Sequence, residues 1–163
     1  MILQYFKKKE NEYKKIADKI YLFIIIKSKE LINNNNFNEV SFDTLFELIS
    51  ILLVFNFKLL KGKSNSEYKL INDLLMQNFI DDLDNSFREM GIGDMSVGKY
   101  VKKYVKKFYY RIKLIDPILD ELDERLLLEY LNSLKFIDKK YTKNIVEKLK
   151  QAFKQIENNS NIV

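Results

Sequence analysis

Residues 88–103 read REMGIGDMSVGKYVKK, and they separate two long stretches of helical sequence. Three of the four glycines of the chain lie in this window, at Gly91, Gly93 and Gly98. Apolar residues before and after the window recur with the 3.6-residue period of an amphipathic helix. Gly91 follows the last residue of the first periodic pattern, where a left-handed helix cap favours glycine. The window therefore predicts a tight elbow between two packed helices.

The remaining residues of the elbow have roles that follow from ordinary helix-end chemistry. We expect Gly93 to let the chain turn sharply, and Gly98 to allow close approach of a neighbour in the first turn of the next helix. Asp94 or Ser96 should cap that helix, because a short oxygen-bearing side chain accepts hydrogen bonds from the first free amides. Each of these roles is structural.

The same window contains G-x-x-x-x-G-K at Gly93, Gly98 and Lys99, the opening of a phosphate-binding loop. Such a loop follows a buried strand, and a Ser or Thr after the lysine reaches magnesium. Here the residue after the lysine is Tyr100, and the preceding sequence has helical spacing with many acids. We therefore predict a structural turn and no nucleotide site.

Helical spacing extends through nearly all of the 163 residues, which include only one proline. We expect an all-α fold, a compact bundle of five to seven helices that forms a single domain over residues 1–163. The expected helices cover about residues 10–32, 41–61, 67–90, 96–115, 116–135 and 140–157, with breaks at 33–36 and 62–66, a boundary at Pro117 and a frayed end after Asn158.

The composition excludes several classes of chemistry. The chain has no cysteine and no histidine. Disulfides, thiolate sites, cysteine nucleophiles, Ser-His-Asp triads and histidine-carboxylate metal sites are therefore excluded. Acid-base chemistry would rest on Asp, Glu, Lys or Tyr alone. We expect a protein that is not an enzyme and that uses no cofactor and no metal.

Charge and hydropathy indicate where the protein acts. The net charge of +5 favours anionic partners such as RNA or an anionic membrane surface, while DNA is not expected. The first residues lack the apolar core of a signal peptide. The most apolar run, residues 45–60, contains Glu47, Asn56 and Lys58 and is shorter than the about 20 residues of a membrane span. We expect a soluble, cytoplasmic protein.

The helix after the elbow has one apolar and one basic side. From Lys99 to Lys113 there are seven basic residues and no acid. Clustered positive charge binds RNA phosphates or anionic headgroups, although a lysine run is also typical of a solvated surface. Tyr109 and Arg111 form a weaker candidate anchor on the flank. The basic face consists of Lys99, Lys102, Lys103, Lys106 and Lys113, with Tyr110 among them.

The helix before the elbow carries clustered acids at Asp81, Asp82 and Asp84. Such a cluster is a candidate magnesium site, and with it a magnesium-dependent hydrolase, because hard cations bind carboxylate oxygens. However, Asp81 and Asp84 fall on the same outer side as Arg88, and Asp84 is four residues before it. We expect ion pairs here.

Residues 79–111, FIDDLDNSFREMGIGDMSVGKYVKKYVKKFYYR, resemble the central motif of the ubiquinol-cytochrome c chaperone family. Bacterial members read approximately F-x-D-M-D-x-x-L-R-E-M-G-V-G-D-L-x-V-x-K, then a lysine-bearing helix and F-Y-G-R. A weaker likeness reaches back to Ile20-Tyr21 and to residues 42–60, so the resemblance covers about residues 12–125 and leaves 126–157 as a helical extension. The chain departs from the family pattern at Tyr110, in place of the glycine, and at SKELINNNNF (28–37), in place of a small, proline-containing stretch.

The resemblance implies an assembly factor for the respiratory cytochrome bc complex, one that holds newly made cytochrome b. In mitochondria the family works with a small partner protein and contacts the ribosome near its exit tunnel. The absence of a presequence suggests a bacterial member in the cytoplasm, peripheral at the inner face of the plasma membrane, with the mitochondrial matrix as the alternative.

The resemblance also assigns a partner-binding surface, while the client itself should dock on exposed apolar surface. An alternative function is a ribosome- or RNA-binding adaptor that uses the basic face. The motif positions carried over to the partner surface are Asp82, Asp84, Arg88, Glu89, Gly91, Gly93, Asp94, Val97 and Lys99.

Overall fold

The computed structural model describes residues 2–32, 37–61 and 66–160. Within these ranges the chain forms six α-helices, a short 3-10 helix and one isolated bridge between Phe37 and Ile137, which confirms the all-α fold and the expected helix number. The expected breaks at 33–36 and 62–65 and the last three residues lie outside the described ranges, and Ser66 already belongs to a helix. The helices are α1 (Ile2–Ile32), α2 (Phe42–Lys61), α3 (Ser66–Glu89), α4 (Asp94–Asp120), α5 (Glu124–Asn132) and α6 (Thr142–Ser160), with the 3-10 helix Lys139–Tyr141 before α6.

Two helix starts illustrate how local sequence sets the boundaries. α1 begins at Ile2, eight residues before the predicted start, because residues 2–9 are good helix formers without a glycine or proline. α2 begins after Ser41, whose hydroxyl accepts a hydrogen bond from the Thr44 amide at 3.4 Å. Ser41 therefore caps this helix, because its oxygen satisfies an amide that has no partner in the first turn.

The prediction that Pro117 ends the fourth helix is wrong, because α4 continues through it to Asp120. Proline inside a helix removes a backbone hydrogen bond, at a cost of about 3 kcal/mol. Lys58 holds this turn from α2: its ammonium donates to the Asp116 carbonyl at 2.6 Å and pairs with the Asp116 and Asp120 carboxylates at 2.9 and 2.5 Å. The buried side chain of Leu119 anchors the same turn.

The break between α4 and α5 lies five residues after the proline, at Leu122. This residue has a φ of 47°, in the left-handed region that residues other than glycine rarely adopt. The Asp123 amide reaches back to the Ile118 carbonyl at 3.2 Å. The Asp123 carboxylate then accepts from the Arg125 and Leu126 amides and starts α5. The predicted helix over 116–135 is therefore shorter and begins later than expected.

The contacts of the chain group into two units, and each is described separately. Unit 1 comprises Met1–Phe23 and Leu60–Tyr110, and unit 2 comprises Ile24–Leu59 and Arg111–Val163. The single domain expected over 1–163 stays a prediction.

Unit 1 has an aromatic core made by α3 and α4. Phe79 and Phe108 are buried, with ring centroids 4.8 Å apart. Phe87, also buried, contacts the rings of Tyr100 and Tyr104 at 5.6 and 5.1 Å. These contacts bury the inner sides of α3 and α4 and fix the two helices that flank the elbow.

Unit 2 is built around α2, which is buried continuously from Phe46 to Asn56. Its Phe55 stacks on Phe153 of α6, with ring centroids 4.1 Å apart. The most apolar run of the sequence therefore forms a helix of the protein core. Across the described ranges, no helix is both long and apolar enough to span a membrane.

Candidate functional site

The elbow between α3 and α4 is closed by a left-handed cap at Gly91. The Gly91 φ is +82°, its amide donates to the Arg88 carbonyl at 2.9 Å, and the Ile92 amide donates to the Phe87 carbonyl at 3.0 Å. This pair of hydrogen bonds is a Schellman motif, which ends a helix when glycine takes the left-handed conformation. The predicted role of Gly91 is confirmed.

The start of α4 differs from the prediction, because Gly93 occupies the cap position. Its carbonyl accepts from the amides of Ser96 and Val97 at 2.8 and 3.1 Å, and Asp94 is already the first helical residue. Glycine is an acceptable N-cap residue, so neither the Asp94 nor the Ser96 side chain is needed to cap α4. The Asp94 carboxylate is thereby available for another contact.

The predictions that Gly93 allows a sharp turn and that Gly98 allows close approach of a neighbour are wrong. Neither residue has a left-handed φ, and a Cβ added at either one would meet no atom within 4 Å. Gly98 therefore brings no neighbour into close approach. The backbone of the elbow requires glycine at Gly91 alone among these three positions.

The elbow also lacks the architecture of a phosphate-binding loop. Helix α3 precedes Gly93, and Gly98 and Lys99 already lie inside α4. No strand runs into this turn, whose surrounding residues 66–120 are all described. The prediction of a structural turn is confirmed, because a phosphate loop depends on a strand before it.

Arg88 bridges the two sides of the elbow. Its Nε pairs with Asp84 Oδ2 at 2.5 Å, which confirms the expected pair, and its other guanidinium nitrogen contacts Asp94 Oδ1 at the start of α4. Hydrogen bonds to Asp84, and then to Asp94, raise the pKa of Arg88 above its ordinary value. Arg88 and Asp94 are exposed and Asp84 is half-exposed, so this bridge orients the surface and stabilises it little.

The three acids proposed for magnesium have separate partners. Asp81 accepts from Gln77 at 2.8 Å, Asp82 accepts from the Tyr21 hydroxyl at 2.8 Å, and Asp84 pairs with Arg88. Across the described ranges no group of three such residues is arranged to hold a metal ion. These three acids therefore act singly, each as the acceptor for a different donor, and of the three only Asp84 forms the expected ion pair.

The Tyr21–Asp82 contact ties α1 to α3 within unit 1. Burial, followed by the charge of Asp82, raises the pKa of Tyr21 far above its ordinary value. Asp82 is only half-exposed and has one oxygen committed to this hydrogen bond. Of the motif acids, Asp82 thus contributes to the packing of α1 against α3.

The other predicted partner residues gather at the elbow surface, with one correction. Val97 is fully buried, so it supports the surface from beneath and does not contact a partner. Asp84 is half-exposed. The exposed members of the set, which we call the elbow surface, are Arg88, Glu89, Gly91, Gly93, Asp94 and Lys99.

Exposed apolar side chains adjoin the elbow surface. Met95, in the first turn of α4, is 95% exposed, and Met90 and Tyr100 are 52% and 42% exposed. Met90 lies just after the end of α3 and Tyr100 in the second turn of α4, so both side chains are partly open to water. Methionine adapts its shape to varied apolar partners.

The predicted basic face is exposed along α4. Lys99, Lys102, Lys103 and Lys106 are exposed in unit 1, and Tyr110 is 56% exposed beside them. Lys113 is also exposed but belongs to unit 2.

A buried charge cluster in unit 2 was not predicted. The Arg111 guanidinium makes two hydrogen bonds of 2.7 Å to the Glu47 carboxylate, which also accepts from the Tyr130 hydroxyl at 3.2 Å. Glu47 is 1% exposed. Burial, then the charge of Glu47, raises the pKa of Tyr130.

Arg111 is thus bound to Glu47 inside the molecule, and its expected role as a binding anchor is wrong. Glu47, the one acid in the most apolar run of the sequence, was the available signal.

Comparison with known proteins places this arrangement in a family. Residues 38–157 match the family model described as ubiquinol-cytochrome C chaperone, a range that includes the elbow, Glu47, Arg111 and the segment 126–157. The chain is similar in fold to the crystal structure of the Cbp3 homolog from Brucella abortus, with a TM-score of 0.76 and 24% identity over 96% of this chain and 88% of that chain. No curated protein matches the chain. The chain belongs to the ubiquinol-cytochrome c chaperone family.

Proposed function

We propose that this protein is a bacterial assembly factor that binds newly made cytochrome b before the other subunits of ubiquinol-cytochrome c reductase join it. The observation that carries the proposal is the family match over residues 38–157, which contains the elbow motif. Holding a client requires an ordered surface and no bond chemistry. The role is accordingly non-enzymatic.

The elbow surface and its apolar neighbours supply two kinds of contact. Met90, Met95 and Tyr100 offer exposed apolar area to a membrane helix of the client, which is itself mainly apolar. Arg88 and Asp94 sit beside them and can pair with polar residues at the end of such a helix. The capped end of α3 keeps these side chains in a fixed relation, which lowers the entropy lost on binding.

Cytochrome b is inserted into a membrane during its synthesis, so the chaperone acts beside that membrane. We place it in the bacterial cytoplasm, peripheral at the inner face of the plasma membrane, with the mitochondrial matrix as the alternative compartment. The ribosome near its exit tunnel is a further proposed partner.

The proposal is tested by removing the polar part of the elbow surface. The variant Arg88→Gln, Asp94→Asn, Lys99→Gln should lower the cellular level of cytochrome b while the purified protein keeps its melting temperature, because all three side chains are exposed. A matched control in unit 2, Glu124→Gln, Lys150→Gln, Lys154→Gln, removes the exposed 2.8 Å pair Lys150–Glu124 and one more lysine. Unchanged cytochrome b in the first variant would contradict the proposal.

A second candidate function is a ribosome- or RNA-binding adaptor, favoured by the exposed lysines of α4. Phosphate-driven binding weakens steeply as salt rises, whereas apolar capture of a client changes little. Cosedimentation with ribosomes that is lost at high salt, together with cytochrome b levels that do not respond to the elbow variant, would favour this second function.

A further inference from the structure

Four lysines form a continuous stripe on the unit 1 part of α4. Lys99, Lys102, Lys103 and Lys106 follow the i, i+3, i+4, i+7 spacing that places side chains on one side of a helix. All four are exposed, and we call them the lysine face. Over these eight residues, about two helical turns, α4 has neither a proline nor a break.

The charge of the lysine face is not neutralised within the protein. None of the four ammonium groups forms an ion pair with a carboxylate of the described residues, and α4 has no acid between Asp94 and Asp116. Asp94 itself contacts Arg88. The whole net charge of +5 belongs to unit 1, since basic and acidic side chains are equal in number in unit 2. The positive field of the molecule is therefore concentrated in the unit that carries this face.

Two exposed tyrosines continue the lysine face toward the end of unit 1. Tyr109 and Tyr110 are 54% and 56% exposed. Tyr110 lies four residues after Lys106, on the same side of the helix, and Tyr109 lies on its edge. Tyrosine favours the membrane interface, where its ring contacts acyl chains and its hydroxyl stays hydrated.

The side-chain types distinguish a membrane surface from RNA. The face contains lysine and no arginine, whereas phosphate recognition in RNA relies strongly on arginine, which binds bidentately and stacks on bases. Lysine acts as a point charge on a long apolar stem, which suits a diffuse anionic surface. Clusters of four to eight basic residues on an amphipathic helix are typical of anionic lipid binding.

We infer that the lysine face, with Tyr109 and Tyr110, docks this protein on the surface of an anionic phospholipid bilayer, with α4 lying parallel to the membrane plane. The inference deepens the proposed function, because it would hold the elbow surface beside the membrane that receives the client. It does not depend on the client for its test.

The test is flotation of the purified full chain with vesicles. Vesicles of equal parts phosphatidylcholine and phosphatidylglycerol should carry the protein, while vesicles of phosphatidylcholine alone should not. The variant K99Q/K102Q/K103Q/K106Q should weaken binding by several hundredfold, since each lysine near an anionic surface contributes about a fivefold change in affinity. Helical content measured by circular dichroism should be unchanged in this variant.

A matched control removes the same charge elsewhere. K135Q/K139Q/K143Q/K154Q changes four exposed lysines of unit 2 and should reduce binding much less than the lysine-face variant. Y109S should weaken vesicle binding severalfold, because the apolar contact of the Tyr109 ring is lost. The binding that remains should be more sensitive to salt, because it depends on charge alone.

Equal loss in the two lysine variants would overturn the inference, since only net charge would then matter. Binding to RNA that requires the lysine face, without binding to anionic vesicles, would also overturn it. Vesicle binding can fail while cytochrome b levels still fall in the elbow variant, so the failure of this inference and that of the proposed function are distinguishable.

Discussion

The two arginines of the family motif make similar ion pairs in opposite surroundings. Arg88 contacts Asp84 and Asp94 at the elbow, and its side chain is 47% exposed. Arg111 pairs with Glu47, and the side chains of these two residues are only 18% and 2% exposed. Water screens the first set of charges, and the protein interior does not screen the second. The exposed bridge can exchange its partners for those of another protein, whereas each member of the buried pair needs the other to balance its charge inside unit 2.

The largest effect should follow from breaking the buried pair. Arg111→Met leaves the Glu47 carboxylate buried without its cation, and should lower the free energy of unfolding by about 3 to 5 kcal/mol. The same change at the exposed arginine, Arg88→Met, should leave the free energy of unfolding almost unchanged, because water screens its ion pairs. Urea denaturation of both variants measures the difference.

The double variant Glu47→Leu, Arg111→Met sharpens this prediction. It removes both charges and should recover most of the lost stability, because apolar side chains of similar size can replace a buried ion pair. A double variant as unstable as Arg111→Met would show that shape, and not the unpaired charge, causes the loss.

The next effect concerns the elbow backbone. Gly91→Ala should destabilise the protein by about 1 to 2 kcal/mol, since its φ of +82° disfavours any side chain. Gly98→Ala is the control: it lies in α4 with open space around it and should stabilise by about 0.4 to 1 kcal/mol. Thermal unfolding of the two variants should shift in opposite directions, and equal shifts would contradict the assignment of the cap to Gly91.

Alkaline pH should weaken both units through their buried tyrosines. Burial raises the pKa of Tyr21 in unit 1 and of Tyr130 in unit 2, so both stay neutral when folded but ionise when unfolded above about pH 10. The unfolded state then binds fewer protons, and the free energy of unfolding falls as the pH rises past that value. The variants Tyr21→Phe and Tyr130→Phe should each flatten this decline, measured by urea denaturation across alkaline pH; parallel curves would contradict it.

The smallest effect on stability is expected at the elbow bridge. Asp84→Asn and Asp94→Asn should each change the free energy of unfolding by less than about 1 kcal/mol, because these pairs are exposed. A larger loss would mean that the bridge is part of the fold, which would remove the contrast with Arg111.

Local sequence rules predicted the helices and the cap at Gly91, because amphipathic spacing and left-handed glycine depend on neighbouring residues. The motif also identified the family. The continuation of α4 through Pro117 was missed, since local rules end a helix near a proline and the Lys58 contacts at that turn come from far away in the sequence. The pairing of Glu47 with Arg111 was missed for the same reason: a buried acid indicates that a partner exists without saying which one. Burial of Val97 and exposure of Met90 also depend on tertiary packing.

The most direct test of the elbow surface as the client-binding site is site-specific photocrosslinking in cells. A photoreactive amino acid in place of Met95, which is 95% exposed beside the Arg88–Asp94 bridge, should crosslink to newly made cytochrome b. The same amino acid in place of Lys143, which is exposed on α6 of unit 2, should not. Crosslinks to cytochrome b from the unit 2 position alone, or from neither position, would contradict the account.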